Sequence, residues 1–112
     1  MQVADLFLDA ALQFPNLYKL MFLSPREGAR VYPRDFKAGR SPTFSPTVKI
    51  IEEAMRAGEL RPDDPMEIAF EMSALSHGLI MLYLGGRIAM SAKKFRIFYQ
   101  HSFRRYLDGL RP

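Results

Sequence analysis

The chain has 112 residues, of which 48% are hydrophobic and 25% are charged, and it contains no cysteine. This composition is typical of a globular protein, and the length predicts a single domain over residues 1–112. The lack of cysteine excludes a disulfide framework and a thiolate zinc site. A net charge of +4 admits nucleic acid as a partner, so the positions of the basic residues matter.

Two helices are predicted at the start of the chain. Apolar residues recur there at spacings of three and four: Val3, Leu6, Phe7, Ala10, Ala11 and Phe14. This spacing predicts an amphipathic helix that buries one stripe and leaves Asp5 and Asp9 outside it. Pro15 suits the first turn of a second, short helix over residues 16–23, which is apolar on most sides.

Residues 24–43 contain three prolines and two glycines, which predict a long irregular loop. A loop of about 20 residues suggests a function of its own. It carries one of the two basic clusters: Arg26, Arg30, Arg34, Lys37 and Arg40. This cluster supports an alternative function for the chain, direct binding of nucleic acid or of an anionic surface.

Ser45 as cap and Pro46 in the first turn predict the start of a third helix, which ends at Gly58. Its inner face is predicted from helical spacing: Val48, Ile51, Ala54 and Met55.

A capping box predicts the start of the fourth helix. Asp64 is the cap, Pro65 lies in the first turn and Glu67 stands three residues after the cap. Residues 72–86 of this helix carry no charged side chain, and the run is shorter than the roughly 18 residues that suggest a membrane span. We therefore expect a buried helix, partly covered by a second copy of the chain.

His77 and Gly78 stand in the middle of this apolar run. A glycine inside a helix costs roughly 1 kcal/mol relative to alanine, so Gly78 suggests close approach of another backbone or of a ligand. His77 is either a core histidine bonded to a backbone carbonyl or a residue that lines a ligand pocket, with metal binding as a weaker third possibility. Ser76 and His77 point about 100° apart, which argues against a nucleophile and base pair.

Ser91 caps a fifth predicted helix, whose aromatic stripe favours a protein interface over plain core. Its basic residues lie largely opposite that stripe and suggest a solvated face: Lys93, Lys94, Arg96, Arg104 and Arg105. No strand pattern competes, so the predicted fold is all-α, a bundle of about five helices.

Several short motifs in sequential order resemble a known family: FPNLYKLMF at 14–22, EAMRAGEL at 53–60, DP at 64–65, HGL at 77–79 and LDGL at 107–110. Together they look like the C-terminal regulatory domain of tetracycline-repressor-like transcription factors. The subgroup with a Trp-His-Gly signature is the most similar, and its tryptophan is expected near Ser73. The small hydroxyl there implies a larger or more polar pocket.

This resemblance implies homodimerisation through the last two helices and binding of a small, mainly apolar effector. In whole family members, effector binding acts on an N-terminal helix-turn-helix that releases DNA. The chain opens with the helix that would follow that unit, so we expect a domain fragment that contacts DNA only through a segment it lacks. No enzyme activity, metal or cofactor is expected.

Two sets of site residues follow. The predicted effector site combines apolar walls with polar anchors: Met21, Phe22, Met55, Ser73, His77 and Gly78. The predicted dimer interface takes apolar residues of the fourth and fifth helices: Leu79, Leu84, Phe95, Phe98, Phe103 and Tyr106. Without a signal peptide, and with Asp5 and Asp9 interrupting the N-terminal apolar residues, the chain is predicted to be cytoplasmic.

Overall fold

The computed structural model describes residues 2–23 and 44–112, with side chains from residue 5 to 19 and from 44 onward. In these ranges the chain forms five helices and no strand. They are α1 (Gln2–Gln13), α2 (Pro15–Leu23), α3 (Phe44–Arg56), α4 (Pro65–Leu84) and α5 (Ala92–Asp108). The all-α prediction is confirmed, whereas the predicted loop 24–43, with its basic cluster, lies outside the described residues.

The described chain divides into two compact units. The first unit comprises residues 2–23 and 72–109, and the second comprises residues 44–71 and 110–112. The backbone of α4 runs from the second unit into the first.

The second unit is built on α3 and the start of α4. The buried residues of α3 are Phe44, Thr47 and Ile51. The helix begins at Phe44, one residue before the predicted cap, Ser45. Gly58 has a φ of +75° and its N–H donates to Met55 O, which ends the helix as predicted.

The start of α4 shows how closely a cap can be predicted. Asp64 Oδ1 accepts the N–H groups of Met66 and Glu67 at 2.9 and 3.3 Å, which confirms Asp64 as the cap. The Asp64 N–H donates to Asp63 Oδ1, the bond that a capping box would give to Glu67.

In the first unit, α1 buries only part of the predicted stripe. Leu8 and Ala11 are fully enclosed, whereas Leu6 is 66% exposed and Phe14 is also exposed. Asp9 is exposed as predicted and accepts a hydrogen bond from Arg96 of α5 at 2.5 Å. Burial of Ala11 confirms part of the predicted stripe, whereas Leu8 was missed and Leu6 and Phe14 were wrongly included.

The passage from α1 to α2 keeps most of its backbone bonds. The Phe14 N–H donates to Ala10 O at 2.8 Å, and the Tyr18 N–H donates to Phe14 O at 3.0 Å. Pro15 has no N–H, so one bond of the helical ladder is missing between them. The two helices are therefore joined by a single interrupted turn rather than by a loop.

Aromatic rings fill the α5 side of the first unit. Phe95 stacks on Tyr83 with ring centroids 4.2 Å apart, and Tyr99 packs against Phe103 at 5.0 Å. Ser91 Oγ accepts the Lys94 N–H at 3.2 Å, which confirms the predicted cap of α5.

Candidate functional site

Two polar pairs lie inside the first unit, on neighbouring residues of α4. The Tyr18 hydroxyl of α2 is hydrogen-bonded to His77 Nδ1. The Ser76 hydroxyl is bonded to the Tyr99 hydroxyl of α5 at 2.7 Å. Adjacent residues of a helix point about 100° apart, so α4 directs one polar group toward α2 and the other toward α5.

The Tyr18–His77 pair is framed by aromatic surface. The Phe7 ring meets the imidazole edge-on with centroids 5.2 Å apart, and the Tyr18 ring lies at 5.5 Å. Tyr18 is buried, while His77 is half-buried. The imidazole thus stands at the edge of the core and is held by groups from α1 and α2.

Burial controls the charge state of these groups. It lowers the pKa of His77 from its usual 6.5. Burial, followed by the proximity of Tyr99, raises the pKa of Tyr18, and burial raises the pKa of Tyr99 to about 12. At neutral pH the imidazole is therefore uncharged and both phenols keep their protons.

The structure gives His77 a partner that was not predicted and places Gly78 at the surface. The partner of His77 Nδ1 is the phenol of Tyr18. Gly78 is exposed, and a Cβ built on it would meet no described atom within 4 Å, so the expected close approach is not found in this part of the chain. Gly78 also lies one residue beyond His77 on α4 and therefore does not share its face.

Of the remaining predicted effector residues, Ser73 alone has a described side chain in the same unit as His77. Ser73 is half-buried and stands four residues before His77, on the same face of α4. Met55 belongs to the second unit, and the side chains of Met21 and Phe22 lie outside those described. The pocket formed by these residues stays a prediction.

The predicted interface residues separate into two groups. Phe95 and Phe103 are buried within the first unit, so their side chains pack inside the subunit. Phe98 is 37% exposed, whereas Leu79, Leu84 and Tyr106 are half-buried. Leu82 is exposed within the apolar run that the sequence predicted to face a second copy, and Ile97 is an exposed apolar residue that was not predicted.

Sequence reasoning missed both tyrosines as polar partners. Tyr18 stands within the FPNLYKLMF motif and Tyr99 within the aromatic stripe, so both were counted as apolar surface. A buried phenol needs a hydrogen-bond partner, and this requirement could have pointed to Ser76 and His77.

The arrangement suits binding better than catalysis. Ser76 and His77 are each bonded to a different tyrosine, on α5 and α2 respectively, so the geometry does not join them as nucleophile and base. Among the described residues there is no group of acidic residues and histidines that could hold a metal ion. No helix in the same ranges is long and apolar enough to cross a membrane.

The described helices define an all-α bundle protein. The profile of the family described as "Tetracyclin repressor-like, C-terminal domain" matches residues 1–108, and the chain belongs to this family. Domains of this family are in general regulatory and serve ligand binding and dimerisation.

Comparison with other proteins adds one solved structure. No curated protein matches the chain. A structure titled "Structure of a protein with unknown function from Rhodococcus sp. RHA1" is similar at 26% identity, with a TM-score of 0.72. The match covers 97% of this chain and 55% of that one, so the chain spans little more than half of that protein's length.

Proposed function

We propose that the chain is the effector-binding and dimerisation domain of a cytoplasmic transcription regulator, and that it senses a small, mainly apolar molecule. The observation that carries this proposal is the hydrogen bond between Tyr18 and His77 at the edge of an aromatic core. Small-molecule sites combine apolar walls with a few polar groups that fix the ligand's orientation. Family membership supports the same function.

The proposed site lies along the inner face of α4 around Ser73 and His77. Met21 and Phe22 are its proposed walls, because a flexible thioether and an aromatic ring adapt to varied apolar ligands. Met55, in the second unit, stays a prediction from the sequence. Gly78 is left out because it is exposed on another face.

Mass spectrometry of small molecules that co-purify with the native protein would identify the effector. In calorimetric titration with that molecule, we expect His77→Ala to weaken binding by roughly 1 to 3 kcal/mol through a lost polar contact. Ser73→Trp should block or shrink the site. His101→Ala, at the exposed second histidine, is the matched control. If the parent and all three variants bound the molecule equally well, the proposed site would be wrong.

We further propose that α4 and α5 of two subunits form a four-helix dimer interface. Leu82 and Ile97 are 48% and 49% exposed, and Phe98 is exposed as well. Exposed apolar residues in one unit favour a protein partner. Phe98→Glu should yield a folded monomer in sedimentation velocity, because the side chain is not part of the enclosed core. A parent chain that is monomeric at micromolar concentration would contradict the dimer.

DNA contact is proposed only through an N-terminal helix-turn-helix in the whole regulator. The alternative is direct binding through the basic loop at 24–43. A gel-shift series at low salt separates the two, because phosphate binding weakens steeply as salt rises. Tight, salt-sensitive binding by this chain alone would favour the alternative.

A further inference from the structure

Charge is divided unequally between the two units of the described chain. The first unit, residues 2–23 and 72–109, holds seven lysines and arginines against three acidic residues, which gives a formal charge of +4. The second unit, residues 44–71 and 110–112, holds four against seven, which gives −3. The first unit, which carries the exposed apolar residues of the proposed dimer surface, is therefore the basic one.

Four of its basic residues stand on the exposed side of α5 and are called the α5 cations: Lys93, Lys94, Arg104 and Arg105. The opposite side of the helix is buried through Phe95, Tyr99 and Phe103. Ile97 and Phe98 are exposed, four residues after the first two cations and seven before the last two. Residues four and seven apart share a face of a helix, so cations flank the exposed apolar pair on both sides along α5.

Few acidic groups balance these cations within the first unit. Asp108 is the single acidic residue of α5 and stands at its C-terminal end. The first unit's part of α4 carries no charged residue, and its Leu82 is a further exposed apolar residue. The other two acidic residues, Asp5 and Asp9, belong to α1, where Asp9 is bonded to Arg96. Along α5 the proposed dimer surface is thus apolar in the middle and cationic on both sides.

The symmetry of a dimer turns this pattern into repulsion. A two-fold dimer brings the same patch of each subunit face to face, so the cations of one copy approach those of the other. Like charges that meet across an interface oppose association, and dissolved ions screen them.

We propose that ionic strength regulates dimerisation through α4 and α5: the α5 cations oppose association at low salt, and screening by anions tightens the dimer. The inference rests on the proposed function, since it concerns regulation of the same interface. Its sign is the reverse of the salt dependence of phosphate binding, which weakens as salt rises.

Sedimentation velocity of the chain at two salt concentrations tests the sign. Between about 10 mM and about 100 mM NaCl the screening length falls from about 30 to about 10 Å. We expect the dimer Kd to fall by roughly threefold or more over this range, because the cations no longer sense one another across the interface.

A charge-removing variant tests whether the α5 cations are responsible. Lys94→Gln combined with Arg105→Gln should dimerise more tightly than the parent at low salt, and its Kd should change less with salt. Lys49→Gln combined with Arg56→Gln removes the same charge from α3 in the second unit and should keep the parent's salt dependence. Circular dichroism checks that both variants keep the parent's helix content.

The possible outcomes separate this inference from the dimer itself. A parent dimer that weakened or stayed constant with rising salt would overturn the inference and leave the dimer standing. If the control variant behaved like the α5 variant, the effect would belong to net charge, and the role of the α5 cations would be wrong. A parent that was monomeric at both salt concentrations would overturn the proposed dimer as well.

Discussion

The two polar pairs on α4 have similar chemistry but different enclosure. Ser76 and Tyr99 satisfy each other in the interior of the first unit, whereas Tyr18 holds a histidine that remains half-buried. A sealed pair stabilises the fold, because breaking it leaves a polar group in a low-dielectric interior. In a pair at the edge of the core, a ligand or water can replace one partner, so breaking the hydrogen bond costs less free energy. Enclosure, rather than residue type, therefore separates the structural pair from the candidate site.

Of the substitutions that compare the two pairs, removal of the Tyr99 ring should lower the free energy of unfolding most. Tyr99→Ala deletes a fully buried side chain and leaves a cavity between α4 and α5, so we expect the free energy of unfolding to fall by roughly 3 to 5 kcal/mol. Urea unfolding followed by circular dichroism measures the change. His101→Ala, at an exposed position of the same helix, should change stability by less than about 0.5 kcal/mol. Similar losses in the two variants would refute the sealed core.

Removing one hydroxyl of the sealed pair should have a smaller effect. Ser76→Ala removes a hydrogen-bond partner of the buried Tyr99 hydroxyl, and we expect a loss of about 1 to 3 kcal/mol in the same unfolding experiment. Adding Tyr99→Phe removes that hydroxyl and should recover part of the loss, as a double-mutant cycle would report. Strictly additive losses would mean that the two hydroxyls do not interact.

The edge pair should tolerate the equivalent change better. Tyr18→Phe removes the hydroxyl bonded to His77, but water can reach the half-buried imidazole, so the expected loss is about 1 kcal/mol or less. Thermal unfolding of Tyr18→Phe beside Ser76→Ala compares the pairs directly. If Tyr18→Phe proved the more damaging, the comparison between sealed and edge pairs would be reversed.

The smallest expected effect is a pH dependence from His77. Burial lowers the folded-state pKa below the usual 6.5, so in a window below 6.5 the unfolded chain binds a proton that the folded chain does not. This contribution to stability is complete above that window and is lost as the pH falls through it. Unfolding curves from neutral to mildly acidic pH should show the decline, and His77→Gln should flatten it. An unchanged slope in that variant would assign the decline to other groups.

Helix positions and caps could be predicted well from local chemistry. Asp64 and Ser91 are caps as predicted, because a cap depends on a short side chain and the next three residues. The buried face of α1 could be predicted only in part: Ala11 is enclosed as expected, whereas Leu8 is enclosed and Leu6 is exposed because of how the helix packs against distant parts of the chain. His77 was recognised as a candidate because it interrupts an apolar run. Its partner Tyr18 was not predicted, because the two residues are 59 positions apart and meet only in the folded chain.

The junction at Pro15 couples α1 to α2 through the backbone. Because Phe14 keeps backbone bonds to both Ala10 and Tyr18, the two helices form one nearly continuous segment that lacks a single ladder bond at the proline. Asp9 connects α1 to α5 through Arg96, and Tyr18 connects α2 to α4 through His77. A ligand that displaced the Tyr18 hydroxyl would therefore remove the bond between α2 and His77 while the bond between Asp9 of α1 and Arg96 of α5 stayed in place.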